Sequence, residues 1–342
     1  MKFVSFRRYG EGSEARAGAW LPMGIIDLQA AAGLVFEDLP HDWSLMSMLQ
    51  HESDGYGIDA AIQIVSAVVD LLGGGGDGIE WDDPDAINSM LSLGGETVIY
   101  PPDSVRLLAP IPQPPTIRDF YAFEQHVREI RAQHGRSVPS TWYDMPVFYF
   151  GNPTTVLGPD SDLVMPRTSQ LDYELEIAAV IGRPCRDIEP AEAEYYIAGL
   201  MVMNDWSARD IQAREMSVGL GPAKGKDFAT SFGPAMITLD EIEDKALGDG
   251  RYDLAMVVRV NGEERGRASF ADIYYTLGEL IAHASRDVTL LPGEIIGSGT
   301  VGTGCLLETT HGEGPWLEVG DVVELEIERI GILRNTIVDR DS

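Results

Sequence analysis

From Leu171 the chain runs Leu-Asp-Tyr-Glu-Leu-Glu-Ile-Ala, a strict alternation of apolar and acidic positions to Ala178. A period of two predicts a strand, with Leu171, Tyr173, Leu175 and Ile177 on one face and Asp172, Glu174, Glu176 and Ala178 on the other. The pattern alone favours a solvent-facing acidic side. The sharper alternative is that these carboxylates share a hard cation, which prefers oxygen ligands. Further strands are expected in "YDLAMVVRVNG", "VVELEIERIGILRNTI" and "YYIAGLMV" (195–202), and an Asn-Gly turn in "VNGEERGRAS". Helical patterns run through "AEAEYYIAGL", which overlaps the last of those strands, and "FADIYYTLGELIAHA".

Nearer the start, "KFVSFRRYG" and "EARAGAWLPMGIIDL" resemble two arms of a hairpin joined at "GEGS". In "DAAIQIVSAVVDLL" (59–72), Ile62, Val65, Val69 and Leu72 recur at helical spacing, and "GGGGDG" (73–78) ends the run. Those glycines lack the Lys-Ser/Thr ending of a phosphate loop and read as a connection. The proline-rich "YPPDSVRLLAPIPQPPTI" (100–117) is extended. These patterns predict a small α/β domain over 1–110 and a second domain over 111–342. With strands outnumbering helices and no repeated strand–GxGxxG–helix unit, the expected class is α+β, strand-rich.

Composition narrows the function. A net charge of −30 argues against nucleic acid or an anionic membrane surface as partner. The acid excess, with Lys2, Lys224, Lys226 and Lys245 as the only lysines, would suit a salt-rich cytoplasm or equally an ordinary solvated acidic surface. Two cysteines, Cys185 and Cys305, cannot make a disulfide framework. "MKFVSFRRYGEG" has no signal-peptide apolar core and no run is long enough to span a bilayer, so the expected location is cytoplasmic.

Four segments carry candidate chemistry. In "IRDFYAFEQHVREI" (117–130), a helix over 122–133 would set His126 and Glu129 on one face, where the acid could orient the imidazole. His283 lies on an apolar helix and reads as a packing residue, while His41, His51, His134 and His311 lack an acidic and aromatic setting. "GLGPAKGKDFATSFGP" (219–234) is either a flexible surface loop or a close-approach loop carrying Lys226. "MNDWSARDIQ" (203–212) leaves an apolar strand directly into a carboxylate, a guanidinium and an amide. "GSGTVGTGCLLE" (297–308) is a glycine- and threonine-rich turn ending in Glu308.

Taken together, "DFYAFEQH", "LDYELEIA", "MNDWSARDIQ" and "GPAKGKDFAT" resemble the ordered motifs of the fumarylacetoacetate hydrolase family over roughly residues 115–335. The resemblance implies a mixed β-roll C-terminal domain, usually a homodimer, with a small N-terminal α/β domain in longer members. It puts Asp119, Glu174, Glu176 and Asp205 at the positions that hold Mg²⁺ (or Ca²⁺ or Mn²⁺), with Lys226 and Thr230 bordering the metal. His126 falls on the general base, Glu308 on the acid that orients it, and Lys226 on the residue that stabilises the leaving carbanion. Tyr121, Tyr149 (in "MPVFYFGN"), Arg209, Gln212 and Thr300 fall where substrate is touched. Two features depart from the hydrolase named for the family. Met216 stands where that hydrolase has a tyrosine, and the loop from Thr300 to Glu308 is shorter. Smaller relatives pair the base with an acid three residues on, so Glu129 in "HVRE" competes with Glu308. The implied activity is hydrolysis of a carbon–carbon bond in a β-diketone or acylpyruvate-like acid. The alternative is decarboxylation, hydration or isomerisation of a 2-oxo acid on the same site.

Overall fold

A computed structural model describes residues 1–9, 15–38, 43–72, 96–133 and 135–340. The "GEGS" turn, the "GGGGDG" run, His41 and His134 lie outside the described residues. The N-terminal strands are β1 (Lys2–Arg8), β2 (Arg16–Leu21), β3 (Gly24–Asp27), β4 (Ile99–Tyr100) and β5 (Val105–Leu108). After them come β6 (Ile117–Phe120), β7 (Phe148–Gly151), β8 (Val156–Leu157), β9 (Asp162–Val164), β10 (Leu171–Asp172) and β11 (Leu175–Ile181). The remainder are β12 (Ile197–Asp205), β13 (Ser207–Ala208), β14 (Thr230–Ile237), β15 (Ala255–Val260), β16 (Glu263–Ser269), β17 (Ile295–Gly297), β18 (Val322–Ile327) and β19 (Gly331–Val338).

Among the described residues these strands form one large mixed sheet, ordered β4-β3-β2-β1-β14-β12-β11-β17-β6-β7 with β5 on β1 and β8 on β14, a five-stranded sheet, β16-β15-β18-β19-β9, and the pair β10-β13. The class is α+β and strand-rich. β1 pairs antiparallel with both β2 and β14, so the N-terminal hairpin continues the sheet of the later residues. Residues from before and after position 110 also share a core. Ile64, Val65 and Val68 of the helix Ile58–Leu71 pack with Ala178, Val180, Met201 and Met203. No described helix is long and apolar enough to cross a membrane.

Strand β11 lies between two cores. Leu175, Ile177, Ala179 and Ile181 face the five-stranded sheet through Met256, Val258, Leu325 and Ile327. Ala178 and Val180 face the N-terminal helices. The predicted alternation therefore exists, but the solvent-facing side does not: every residue from Leu171 to Ile181 is buried. Tertiary packing on both faces removed the water that the pattern alone implied.

Other expectations shift for similar reasons. In the helix Ile58–Leu71 the buried residues are Ala60, Ala61, Ile64, Val65 and Val68; of the expected stripe, Val65 and Leu72 are buried and Val69 packs on the same core, whereas Ile62 is exposed. Two overlapping apolar stripes were available, and the sheet chose the one rich in small residues. The expected helix over 191–200 is a 3₁₀ segment, Pro190–Tyr196, that gives way to β12 at Ile197. In "FADIYYTLGELIAHA" only Leu277–Ser285 is α-helical, capped by Thr276, whose hydroxyl accepts from the Glu279 N–H. The Asn-Gly turn forms as expected, with Asn261 (φ 54°) and Gly262 (φ 79°) between β15 and β16.

Strand β6 is anchored by a buried ion pair. Arg118 donates to Glu294 and, at 2.8 Å, to the Thr116 hydroxyl, and its guanidinium lies 5.1 Å from the Phe150 ring centre. Arg118→Met strands the Glu294 carboxylate and is expected to cost about 3–5 kcal/mol, read as a lower urea midpoint. The double change with Glu294→Leu should recover much of that loss. An unchanged midpoint in the single variant would refute the anchoring.

Candidate metal centre

Six neighbouring strands of the large sheet, β7, β6, β17, β11, β12 and β14, bring their site residues to one end of the sheet. In register, Asp119 of β6 lies between Tyr149 of β7 and Gly297 of β17, and Asp205 of β12 is opposite Thr230 of β14. Between them, Glu174 immediately precedes β11 and Glu176 is its second residue. Strand β12 leaves its apolar run because its last residue, Asp205, must reach this rim. Trp206, fully buried, then pins the turn by donating to the Ser231 hydroxyl at 2.8 Å. The helix Arg209–Met216 follows.

Ligand oxygens from Asp119, Glu174, Glu176 and Asp205 all lie within 4.8 Å of one another, and all four side chains are buried. Burial, reinforced by the charge of Asp205, raises the Asp119 carboxyl well above its ordinary range. Burial and the adjacent Asp119 do the same to Glu176. Asp205 is also raised by burial, which outweighs the nearby Lys226. For Glu174 burial works upward, but Arg209 and Lys226 more than offset it and hold that carboxyl low.

The donor set fits a hard divalent cation: four carboxylates and no sulfur or nitrogen. One oxygen is conspicuously short of partners, since Asp205 Oδ1 is buried without a hydrogen bond. Room is kept by glycines. A Cβ on Gly297 would stand 2.7 Å from Asp119 Oδ1. Gly299, at φ +81°, has no space for a side chain and turns its N–H to Glu176 Oε2 (2.9 Å) and Asp119 Oδ1 (3.2 Å).

Lys226 is buried, not the tip of a flexible loop, and its ammonium donates to both Glu174 and Asp205. Those two acids raise its pKa against the opposing effect of burial. Arg209 meets Glu174 at 2.8 Å and Asp172 at 2.8 Å, and donates to Gln212 Oε1 at 3.0 Å. The Tyr149 hydroxyl donates to Asp205, and Thr300 donates to Glu176 Oε1 at 3.4 Å. Thr230 is buried beside this group.

His126 is buried on the helix Glu124–Gln133, with Tyr121 edge-on to it at 5.5 Å between ring centres. Its Nδ1 lies 2.9 Å from Glu308 Oε2. Glu129, the other acid expected to orient it, is half-exposed and turned to Arg128 at 3.8 Å. The helix buries His126 and Val127, and Glu308 arrives from a distant turn to fill the space at Nδ1. His283 packs edge-on against Phe120 and Phe148, as a packing residue would.

Two residues of the site were not singled out from the sequence. Asp172 shares the alternation of Glu174 and Glu176 but is separated from them by a break between β10 and β11. It accepts from the Leu306 and Leu307 N–H groups at 2.7 and 3.0 Å, and so joins Arg209 to the segment carrying Glu308. Cys305 lies beside His126 and Glu308, where burial and Asp172 push its thiol well above its usual range.

The model of the fumarylacetoacetate (FAA) hydrolase C-terminal family matches residues 116–338. The human mitochondrial oxaloacetate tautomerase is 31% identical over 252 residues, covering 72% of this chain and 74% of the tautomerase. A fumarylacetoacetate hydrolase from psychrophilic Exiguobacterium antarcticum is 25% identical, with a TM-score of 0.68 over 99% of this chain and all of that one. Maleylpyruvate hydrolase from Sphingobium sp. SYK-6, solved with manganese(II) and pyruvate, shares the fold, with a TM-score of 0.65 and 23% identity over 99% of both chains. The matched segment contains every residue of the site described above, and the chain belongs to the fumarylacetoacetate hydrolase family.

Proposed function

We propose that the protein is a divalent-metal-dependent hydrolase that cleaves a carbon–carbon bond in a β-diketone or acylpyruvate-like oxo acid. Asp119, Glu174, Glu176 and Asp205 would hold the cation, Mg²⁺, Ca²⁺ or Mn²⁺, bordered by Lys226 and Thr230. Bound there, the cation supplies Lewis-acid polarisation of the substrate's oxygens. The observation that carries hydrolysis is the buried His126–Glu308 pair at 2.9 Å. An ionised Glu308 accepts from Nδ1–H, which leaves Nε2 as the lone pair that removes a proton from water. Hydroxide formed at Nε2 adds to one carbonyl carbon, which becomes a carboxylic acid, and the carbon–carbon bond breaks with its electron pair leaving as the enolate of the remaining carbonyl. Lys226 offers that anion a positive charge, and the proton held by His126 is available to quench it. Tyr121, Tyr149, Arg209, Gln212 and Thr300 border the same space and would orient the acid.

The second reading is tautomerisation, isomerisation or decarboxylation of a 2-oxo acid, favoured by the similarity to the human tautomerase. These reactions need no water at the carbonyl; in tautomerisation or isomerisation His126 would instead move a proton on the substrate carbon. A panel of acylpyruvates and 2-oxo acids, incubated with Mg²⁺ and resolved by mass, separates the readings. Hydrolysis yields two organic fragments whose masses sum to substrate plus water. Carbon dioxide, or a product of unchanged mass, would refute it. A homodimer belongs to this proposal, since Tyr143, Met145, Val147 and Phe150 expose an apolar strip that a second copy could cover.

A further inference from the structure

We propose that His126, Cys305 and Glu308 form a second cation site, for a thiophilic divalent ion such as Zn²⁺, and that filling it silences the base. A ring nitrogen, the sulfur and a carboxylate oxygen of these three residues lie within 4.8 Å of one another, and all three side chains are buried. Tetrahedral zinc, with bonds of about 2.0–2.3 Å, holds its ligand atoms roughly 3.3–3.8 Å apart, so the cluster closes on the ion with shifts of about an ångström. Three protein ligands leave the fourth position to water, the pattern of zinc sites that are not purely structural.

A second observation points the same way. Glu308 spends Oε2 on His126, but its Oε1 is buried without a hydrogen-bond partner. A buried, unsatisfied carboxylate oxygen is costly unless something electropositive reaches it. The adjacent thiol is free of any disulfide. Nitrogen, sulfur and oxygen together suit zinc, cadmium or cobalt, whereas the four-carboxylate site suits magnesium, calcium or manganese. The chain thus offers two neighbouring sites that sort cations by softness. On binding, the thiol proton passes to solvent, one ring nitrogen gives its lone pair to the ion and the ring proton stays on the other, so His126 can no longer take a proton from water. This consequence rests on the hydrolase reading; the binding itself does not.

The test is cobalt titration of Mg²⁺-saturated protein, comparing wild type with Cys305→Ser and Cys305→Ala. Wild type should develop a near-ultraviolet thiolate-to-cobalt charge-transfer band, and both variants should lack it. Cobalt entering the carboxylate site cannot give that band, because no sulfur is among its donors. In parallel, half-inhibition of turnover by zinc should need at least about tenfold more zinc in Cys305→Ser, the least expected when a direct ligand is lost. A wild type with no charge-transfer band, or a band undiminished in both variants, overturns the site. A band without zinc inhibition leaves the cation bound but overturns its action on the base. The spectrum is read whether or not the substrate assignment holds, so failure of the hydrolase reading is distinguishable from failure of this one.

Discussion

Replacing His126 with alanine is expected to cut turnover at least about a hundredfold, within the 10²–10⁴ range that a positioned base contributes. Affinity for the divalent cation should stay nearly constant, because the imidazole is not among the four carboxylates that converge at the sheet end. The loss should fall equally on kcat and kcat/KM, the sign of an interaction made in the transition state rather than on substrate binding. Glu308→Gln should follow in the same direction, since it weakens the bond that orients Nδ1 at 2.9 Å. Glu129→Gln should leave turnover near wild type, because that acid is half-exposed and turned to Arg128. Near-normal turnover in His126→Ala removes the base assignment. A larger loss from Glu129→Gln than from Glu308→Gln would show that the wrong acid has been paired with it.

Removal of the cation is the second large effect. Four buried carboxylates repel one another, and Lys226 and Arg209 neutralise chiefly the side around Glu174 and Asp205. A cation at a hundred times its dissociation constant should stabilise the fold by about 2.7 kcal/mol, seen as a higher melting temperature that chelator abolishes. The pH dependence has opposite signs in the two forms. Asp119 and Glu176 have folded-state pKa values raised above their unfolded values of about 4. Stability of the metal-free protein is therefore full below about pH 4 as far as these two groups go, and is lost as pH rises through their raised values. Glu174, held low, changes charge only below that window. The cation must displace any proton on Asp119 and Glu176, so metal-induced stabilisation grows over the same rise. Glu176→Gln should flatten the metal-free profile and cut the metal-induced shift together. A melting temperature indifferent to Mg²⁺, Ca²⁺ and Mn²⁺ at every pH would eliminate the metal centre.

Local chemistry determined much of this molecule directly from the sequence. Backbone period marked β11, and left-handed Asn-Gly geometry marked the turn between β15 and β16, because both depend on residues adjacent in the chain. The ordered motifs carried the family and all four acids of the cluster for the same reason: each motif is contiguous, so its pattern survives without knowledge of its neighbours.

What only the tertiary structure decided is what lies across space. Nothing in the alternation of 171–178 indicates that both faces of that strand are buried, or that Asp172 shares Arg209 with Glu174 and also holds the Glu308 turn. The sequence favoured no partner for His126. Glu129 was close along the chain, whereas Glu308 lies 182 residues away and meets it only when the 297–308 turn folds over the sheet end. The choice of buried face on the helix Ile58–Leu71 was equally open, with two apolar stripes present and one sheet to receive them. Residues from six neighbouring strands meet at a single rim because hydrogen-bonded register sets their heights, and register is a property of paired strands that no single strand encodes.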